Sequence, residues 1–239
     1  MAEILRTENL TKRFRGLVAN ENIDFSLNAG EVRCVIGPNG AGKTTFISMI
    51  SGHQRPSAGT IWFKEQDITE LSVAERARIG ISRKFQTPTV FNNLTVYENV
   101  ELAVLGTDRS RRTRHARILE VIDMVQLTEF TNNLVATLSH GQRQWLEIGL
   151  LIGNDAQLLL LDEPTAGMTA EETRSTGNLV RKLAKDLSLT AIIIEHDIKF
   201  LRYLQAPVTV FHLGRKIKEG SFEEISQDEH VRNVYLGNE

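Results

Sequence analysis

The sequence predicts an α/β fold with a mixed sheet, a small antiparallel β part and an inserted helical subdomain. Short apolar runs alternate with amphipathic helical patterns along the chain, which is typical of strands and helices packed in layers. Between roughly residues 87 and 153 the strand signal fades and helical periodicity dominates. With 239 residues, the chain is long enough for one large domain that carries an insertion of this size.

The predicted strands are short runs of apolar and β-branched residues bounded by turn residues. They are EVRCVI (31–36), TIWFK (60–64), QLLLL (157–161) and TAIII (190–194). A late segment, PVTVFHLGRKIKEG (207–220), predicts a hairpin that turns at Gly214. Because strands and helices alternate, these strands are expected to share a largely parallel sheet.

The predicted helix starts share one signature, a Ser or Thr followed three residues later by Glu or Gln. These capping boxes are Ser72–Glu75, Thr95–Glu98, Ser139–Gln142 and Thr169–Glu172. Two helical patterns dominate the insertion, TVYENVELAVL and RHARILEVIDMVQL. In the second, the residues predicted to share one apolar face are Ile118, Leu119, Ile122 and Val125. We therefore divide the chain into an α/β core of residues 1–86 and 154–239 and a helical subdomain of residues 87–153.

Composition excludes several classes of protein. Charged residues make up 24% and the net charge is −2, so no overall basic field favours nucleic acid as a partner. The single cysteine, Cys34, lies in an apolar run and is expected to be a buried core thiol, which fits a cytoplasmic location. The apolar runs are far shorter than the roughly 20 residues that span a bilayer, so any membrane role requires a partner.

A phosphate-binding loop is predicted at GPNGAGKT (37–44), which fits the pattern G-x-x-x-x-G-K-[ST] between a strand and a helix. The glycines allow the backbone to fold into a nest of N–H groups, and the helix start adds a positive dipole end. Lys43 is expected to reach the β- and γ-phosphates, the Thr44 hydroxyl to ligate Mg²⁺, and Thr45 to donate to the α-phosphate. The predicted nucleotide-binding residues of this loop are Gly37, Pro38, Asn39, Gly40, Ala41, Gly42, Lys43, Thr44 and Thr45.

Two carboxylates end the buried strand of LLLLDEP (158–164). Carboxylates at the end of an apolar strand are costly unless they act on a cation or a reacting water. We expect Asp162 to bind Mg²⁺, directly or through water, and Glu163 to be the general base that activates the attacking water. The alternative is an acidic pair that caps the next helix.

Two further residues are candidates for contacts with the nucleotide. His196, in IIIEHD, follows an apolar strand at the edge where α/β sites gather, and we expect it to contact the γ-phosphate. Gln86, in RKFQTP, begins the insertion, where it could ligate Mg²⁺ and place the water, although an ordinary loop glutamine is an equal alternative.

These motifs together resemble the nucleotide-binding subunit of an ABC transporter. The resemblance covers the whole chain and rests on GPNGAGKT, Gln86, LSHGQ (138–142), LLLLDEP and His196, in that order. It implies a P-loop NTPase core, ATP and Mg²⁺ as cofactors, and Phe14 as the aromatic that stacks on adenine; the alternative for Phe14 is core packing. The strings RKFQTP and LSHGQRQWLEIG are similar to the urea and branched-chain amino acid importers, and most of all to the urea type.

The resemblance also implies partners. Two subunits, identical or paralogous, pack head to tail, so that each ATP lies between the phosphate loop of one subunit and LSHGQ of the other. Ser139, Gly141 and Gln142 then form a second anion site at a helix start, with Ser139 as a phosphate donor rather than a nucleophile. Transmembrane permease subunits dock near Gln86, a solute-binding protein acts indirectly, and the chain is peripheral at the cytoplasmic face of the inner or plasma membrane.

Two positions depart from the family pattern. His140 stands where the family has the first of two glycines, and Thr169 stands where it has an Asp. Thr169 can cap a helix but brings no carboxylate. We still expect an active ATPase that energises uptake of a small polar solute, with urea as the first candidate and a branched-chain amino acid or related amide as the alternative. Three further classes stay open: a soluble ABC ATPase acting on nucleic acid or ribosomes, a P-loop kinase, and a regulatory subunit with slow turnover.

Overall fold

The computed structural model describes residues 2–84, 90–107 and 110–235. In the described residues the strands are β1 (Glu3–Phe14), β2 (Leu17–Asn28), β3 (Val32–Ile36), β4 (Ala58–Phe63), β5 (Gln66–Asp67), β6 (Ile81–Lys84), β7 (Leu158–Asp162), β8 (Thr190–Ile194), β9 (Val208–His212) and β10 (Arg215–Gly220). The helices are α1 (Lys43–Ile50), α2 (Val73–Arg78), α3 (Val96–Leu105), α4 (Arg111–Met124), α5 (His140–Gly153), α6 (Ala170–Leu187), α7 (Ile198–Leu204), α8 (Phe222–Gln227) and α9 (Glu229–Tyr235). None of the described helices is long and apolar enough to cross a membrane.

The larger sheet has the strand order β10-β9-β3-β8-β7-β6. Its five strands from β9 to β6 run parallel, and β10 adds an antiparallel edge through the hairpin with β9. Every residue of β3, β7 and β8 is buried, as expected for strands covered on both faces. The predicted α/β fold with a mixed sheet is therefore confirmed.

The two faces of this sheet pack into two different cores, because side chains alternate along each strand. One core joins the sheet to α3–α7 and includes the sheet residues Cys34, Ile36, Leu159, Leu161, Ala191 and Ile193. The other joins the sheet to α1 and the smaller sheet and includes Val35, Leu158, Leu160, Ile192, Ile194 and Phe211. Cys34 is fully buried, as predicted, and burial, reinforced by the negative charge of Glu195, raises the pKa of its thiol far above the ordinary value.

The smaller sheet is antiparallel, with the order β2-β1-β4-β5. Its two longest strands, β1 and β2, are not among the predicted strands. Their pairing contains four register shifts, and Asn9 and Asn22 adopt positive φ angles. Such bulges interrupt the alternation of apolar and polar residues by which a strand is found in a sequence.

Among the described residues between 90 and 153 the regular elements are helices rather than strands. The three main helices, α3, α4 and α5, pack against one another. The division of the chain at residues 86/87 and 153/154 stays a prediction. Leu119 is a correction: it is 41% exposed, whereas Val121 is buried with Ile118, Ile122 and Val125. The spacing explains this, because positions 118, 121, 122 and 125 lie on one helical face and position 119 is turned about 100° away from 118.

All four predicted capping boxes are present, with both reciprocal hydrogen bonds in each. A fifth box, Ser221–Glu224, begins α8 and is not among the predicted ones. These boxes satisfy backbone N–H groups that helix starts leave without partners. They fix where the helices begin, including the start of α5 at LSHGQ.

The far end of α1 is closed by a buried arginine. Arg76 of α2 is 1% exposed and donates hydrogen bonds to the carbonyl oxygens of Met49 and Ile50, which end α1, and to those of Thr69 and Leu71. Burial lowers the pKa of its guanidinium to about 10. Because the other end of α1 carries the phosphate loop, this contact anchors the helix on which that loop depends.

Replacing Arg76 with Met should lower the free energy of unfolding by about 2–4 kcal/mol, because several buried carbonyl oxygens would lose their donors. Arg78→Met on the exposed face of the same helix is the matched control and should change stability by less than about 0.5 kcal/mol. Urea denaturation followed by circular dichroism measures both. Equal stability of the two variants would contradict this role for Arg76.

Candidate functional site

Three loops meet at one edge of the larger sheet. They follow the carboxyl ends of β3, β7 and β8, which are neighbours in the sheet, and carry the phosphate loop, the Asp162–Glu163 pair and His196. In parallel sheets, ligands bind at this edge because the loops and the helix starts converge there. The structure thus gathers into one place motifs that are up to about 150 residues apart in the sequence.

The phosphate loop is shaped by glycines that have no room for a side chain. Gly37 has a φ of 151°, and a Cβ there would lie 2.1 Å from the carbonyl oxygen of Phe211. Gly42 is left-handed, with a φ of 98°, and a Cβ there would lie 2.3 Å from the carbonyl oxygen of Ala19. Backbone packed this closely cannot accept alanine, so the shape of the loop requires glycine at both positions.

Lys43, the first residue of α1, folds back over this loop. Its Nζ donates to the carbonyl oxygens of Gly37 at 2.7 Å and Pro38 at 3.0 Å. Burial lowers the pKa of Lys43, while the negative charges of Glu163 and Asp162 act in the opposite direction. The ammonium group is therefore bound to the loop and is influenced by the charges of both carboxylates.

Asp162 ends β7 and is 1% exposed. Arg83 of β6 donates to its Oδ2 at 3.2 Å, and Oδ1 has no hydrogen-bond partner among the residues that the structure describes. Burial raises the pKa of this carboxyl, and Arg83 only partly opposes that effect. A buried carboxylate oxygen without a donor is suited to a cation or to a water that a cation holds.

Glu163 and His196 are in direct contact. The Oε1 atom of Glu163 lies 2.9 Å from Nε2 of His196, and about a third of each side chain is exposed. Glu163 has a φ of 49°, which is uncommon for a residue with a side chain, and its N–H donates to the carbonyl oxygen of Ile194 at 2.9 Å. The backbone therefore turns sharply after Asp162, and the two neighbouring carboxylates face different partners.

A cavity of about 330 Å³ joins the phosphate loop to these two residues. The residues that line it are Phe14, Leu17, Val18, Ala19, Asn39, Gly40, Ala41, Gly42, Lys43, Thr44, Thr45, Glu163 and His196. Phe14 ends β1 with 39% of its surface exposed, and the Nζ atom of Lys12 lies 4.9 Å from its ring centroid. The ring is available for stacking, so the core-packing alternative for Phe14 is not what the structure has.

The LSHGQ stretch lies outside this cavity within the one chain. Ser139 begins α5, and its Oγ accepts from the N–H of Gln142, as the capping box predicts. The N–H of Gly141 donates to Oε1 of Glu172 at 3.1 Å, and the ring of His140 lies 2.9 Å from the carbonyl oxygen of Ala166. The start of α5 is therefore held against the loop that follows Glu163 and against the start of α6.

Sequence reasoning missed two residues here, Arg83 and Glu195. Arg83 immediately precedes Lys84 in the strand before the insertion, and nothing in its spacing identifies Asp162 as its partner. Glu195 had a signal, because it is a carboxylate after an apolar strand, as Asp162 and Glu163 are. The predicted role of Gln86 falls on a residue outside those that the structure describes.

These features together define a class: a nucleotide-binding ATPase with a phosphate loop, a strand-end carboxylate pair and a separate capped helix start. A family model described as ABC transporter matches residues 20–166, a stretch that includes the phosphate loop, LSHGQ and LLLLDEP. The chain belongs to the ABC transporter ATPases and hydrolyses ATP as their ATP-binding cassette.

Individual relatives agree with this family. The chain is 33% identical over 249 residues to the high-affinity branched-chain amino acid transport ATP-binding protein BraF of Pseudomonas aeruginosa, covering 98% of each chain. It is 31% identical, with the same coverage, to the corresponding protein LivG of Escherichia coli. It is also 33% identical to the lipopolysaccharide export ATP-binding protein LptB of Acidithiobacillus ferridurans, over 100% of this chain and 99% of that one.

Solved structures share the fold along the whole chain. The ADP conformation of an ATP-binding cassette of an ABC transporter superimposes with a TM-score of 0.88 at 30% identity, covering 100% of both chains. A nucleotide-free cassette from an ABC transporter gives 0.86 at 30% identity, over 99% of this chain and 100% of that one. The fold is therefore that of an ABC cassette.

The raised pKa of Asp162 gives a pH-dependent prediction for the protein without nucleotide. The pKa of Asp162 is higher in the folded state than in the unfolded state. As pH rises from the ordinary pKa to the raised one, the wild-type protein therefore loses stability relative to Asp162→Asn, which has no carboxyl to titrate at this position. At pH 8 we therefore expect Asp162→Asn to melt at a higher temperature than wild type.

Below the ordinary Asp pKa of about 4, Asp162 is protonated in both the folded and the unfolded state. The difference in melting temperature between wild type and Asp162→Asn should therefore vanish. Thermal melts of both proteins between about pH 3 and pH 8 measure this. Asp186→Asn, on the exposed surface of α6, is the control and should melt with wild type at every pH. If Asp162→Asn is less stable than wild type at pH 8, the folded protein instead favours the charged Asp162 carboxylate paired with Arg83.

Proposed function

We propose that this chain drives a solute importer by hydrolysing ATP in the cavity between the phosphate loop and the Glu163–His196 pair. The observation that carries the proposal is the 2.9 Å contact between those two side chains beside the loop. Glu163 acts as the general base on the attacking water, and His196 contacts the γ-phosphate and orients the carboxylate. The lining of the cavity supports this, because both residues border the same space as Lys43 and Thr44.

ATP binds along the cavity, with its base at Phe14 and its phosphates over the helix start of α1. The residues that would hold the phosphates are Gly37, Pro38, Asn39, Gly40, Ala41, Gly42, Lys43, Thr44 and Thr45. Lys43 exchanges its loop carbonyl partners for phosphate oxygens, which are stronger acceptors for an ammonium group. The exposed ring of Phe14 supports a stacking contact with adenine.

Thr44 and Asp162 would hold Mg²⁺, with Gln86 as a further ligand. The Oδ1 atom of Asp162 fits this donor set, since Mg²⁺ prefers carboxylate and hydroxyl oxygens and retains several waters. When bound, the ion neutralises charge that develops on the β- and γ-phosphates. The pairing of Oδ2 with Arg83 holds the carboxylate in place and leaves its other oxygen available to the ion.

A second subunit completes the site. Ser139, Gly141 and Gln142 lie at the start of α5, outside the cavity of their own chain, which supports their use on ATP held by a partner. A solved structure of a related cassette, 26% identical and covering 92% of this chain, is dimeric and bound to ADP and phosphate. Transmembrane permease subunits, a solute-binding protein and a peripheral position at the cytoplasmic face of the membrane complete the proposal.

Branched-chain amino acids, or related amides, are the solutes that we propose. The support is the identity of 31–33% with BraF and LivG over nearly the full length. Urea is the second candidate, and its support is limited to the strings RKFQTP and LSHGQRQWLEIG. The resemblance to LptB, at equal identity, shows that identity at this level does not by itself fix the solute.

Glu163→Gln keeps the shape of the side chain but removes the base, so ATP hydrolysis should fall roughly 10²–10⁴-fold. ATP should still bind, and an ATP-dependent dimer should accumulate on size-exclusion chromatography. Phosphate release measures the rate. Glu171→Gln, an exposed carboxylate in α6, is the control and should hydrolyse at the wild-type rate.

Lys43→Ala should instead lose nucleotide binding, and with it the dimer, which separates a binding defect from a chemical one. Undiminished hydrolysis by Glu163→Gln would exclude Glu163 as the base.

Uptake measurements decide between the two solutes. In a strain of the source organism that lacks this gene, uptake of radiolabelled leucine should fall to background, because no ATPase drives the permease. The wild-type gene should restore it, and the Glu163→Gln gene should not. Uptake of radiolabelled urea should be unchanged. Loss of urea uptake with normal leucine uptake would reverse the assignment, and loss of neither would exclude both solutes.

A further inference from the structure

A buried carboxylate lies between β8 and His196, outside the lining of the nucleotide cavity. Glu195 is 3% exposed, although it lies next to a histidine that borders that cavity. Burying a carboxylate is costly unless several donors satisfy it. Its hydrogen bonds therefore indicate what this residue is for.

Each oxygen of Glu195 serves a different loop. Oε1 accepts from both the N–H and the Oγ1 hydroxyl of Thr165, at 2.9 and 2.5 Å. Oε2 accepts from the N–H of His196 at 3.0 Å and, more weakly, from the N–H of Asp197 at 3.4 Å. One side chain thus joins the loop after β7 to the loop after β8.

These are the two loops that carry the catalytic pair. Thr165 lies two residues after Glu163, and His196 directly follows Glu195. A backbone hydrogen bond, from the N–H of Glu163 to the carbonyl oxygen of Ile194, also crosses between them. The 2.9 Å contact between Glu163 and His196 therefore depends on the hydrogen bonds that join these two loops. In these bonds Glu195 accepts from four donors.

We propose that Glu195 is a positioning residue for ATP hydrolysis. It holds the loop of the general base and the loop of the γ-phosphate contact at a fixed separation, and it touches neither the nucleotide nor the attacking water. This inference rests on the proposed roles of Glu163 and His196. It adds that the carboxylate form of residue 195, and not only its size, sets the geometry of the pair.

An amide at this position cannot replace the carboxylate. Gln has one acceptor oxygen and one NH₂ group that only donates. In Glu195→Gln, either the donors of Thr165 or the N–H of His196 would face another donor inside a buried site. One loop must shift, although the volume of the side chain is unchanged.

Glu195→Gln should lower kcat for ATP hydrolysis by about tenfold to a hundredfold, the cost of a small misplacement of reacting groups. The dissociation constant for ATP should stay within about twofold of wild type, because the phosphate loop and Phe14 lie on other elements. Phosphate release and equilibrium binding of a fluorescent ATP analogue measure the two quantities. Asp228→Asn is the control: it also removes a carboxylate that accepts a backbone N–H, that of Val231 in α9, and that pairs with Lys218, and it should leave both quantities unchanged.

Thr165 provides a second test that keeps the fold intact. Thr165→Val removes only the hydroxyl donor, and should lower kcat less than Glu195→Gln does. Thr165→Ser keeps the hydroxyl and should restore the wild-type rate. Because Glu195 acts through Thr165, the double variant Glu195→Gln/Thr165→Val should be no slower than Glu195→Gln alone.

Several outcomes would overturn the inference. They are a wild-type kcat for Glu195→Gln, a loss of ATP binding that accounts for its slower hydrolysis, or fully additive effects of the two substitutions. Glu163→Gln, measured alongside, separates this failure from failure of the proposed function. If Glu163→Gln is slow and Glu195→Gln is not, only the positioning role fails; if Glu163→Gln is undiminished, the assigned base fails.

Discussion

The parallel pairing of β3, β8 and β7 is the constraint on which the rest of the molecule depends. Ile194 of β8 pairs with Val35 on one side and with Asp162 on the other, so the three strands end level with one another. All three are buried on both faces, and a shift of one residue would exchange the side chains of the two cores. Their register is therefore strongly specified, and the loops that follow inherit it. The roles proposed for phosphate binding, cation binding and water activation fall on distant parts of the sequence, and the sheet brings these parts together at one edge.

Much of this arrangement could be predicted from the sequence because its signals are local. The apolar runs of β3, β7 and β8, the glycines of the phosphate loop and the paired residues of the four capping boxes each act within a few positions, and the structure has all of them. The same reasoning fails where the apolar pattern is interrupted or is assigned to the wrong face. Bulges in β1 and β2 conceal the longest strands, and the apolar face predicted for Leu119 is occupied by Val121.

What could not be predicted is which polar groups meet across long separations. Arg83 finds Asp162, the carboxylate of Glu172 finds the N–H of Gly141, and Glu195 finds Thr165, over 79, 31 and 30 positions respectively. No spacing in one sequence encodes such pairs, because they result from how the layers pack. They also show how the start of α5 is linked to the site: α5 contacts the loop after Glu163 through His140, and that loop contacts the loop of His196 through Glu195.

The absence of a side chain at Gly37 has a consequence beyond the shape of its own loop. The loop backbone lies directly against the carbonyl oxygen of Phe211 in β9, and the N–H of Gly214, at the hairpin tip between β9 and β10, donates to the carbonyl oxygen of Ala41 at 3.1 Å. The hairpin thus packs directly against the phosphate loop, although the two lie about 170 residues apart in the sequence. Lengthening the hairpin tip, or inserting a tag into it, would therefore deform the phosphate loop. The change would disturb nucleotide binding from a turn that is distant in the sequence.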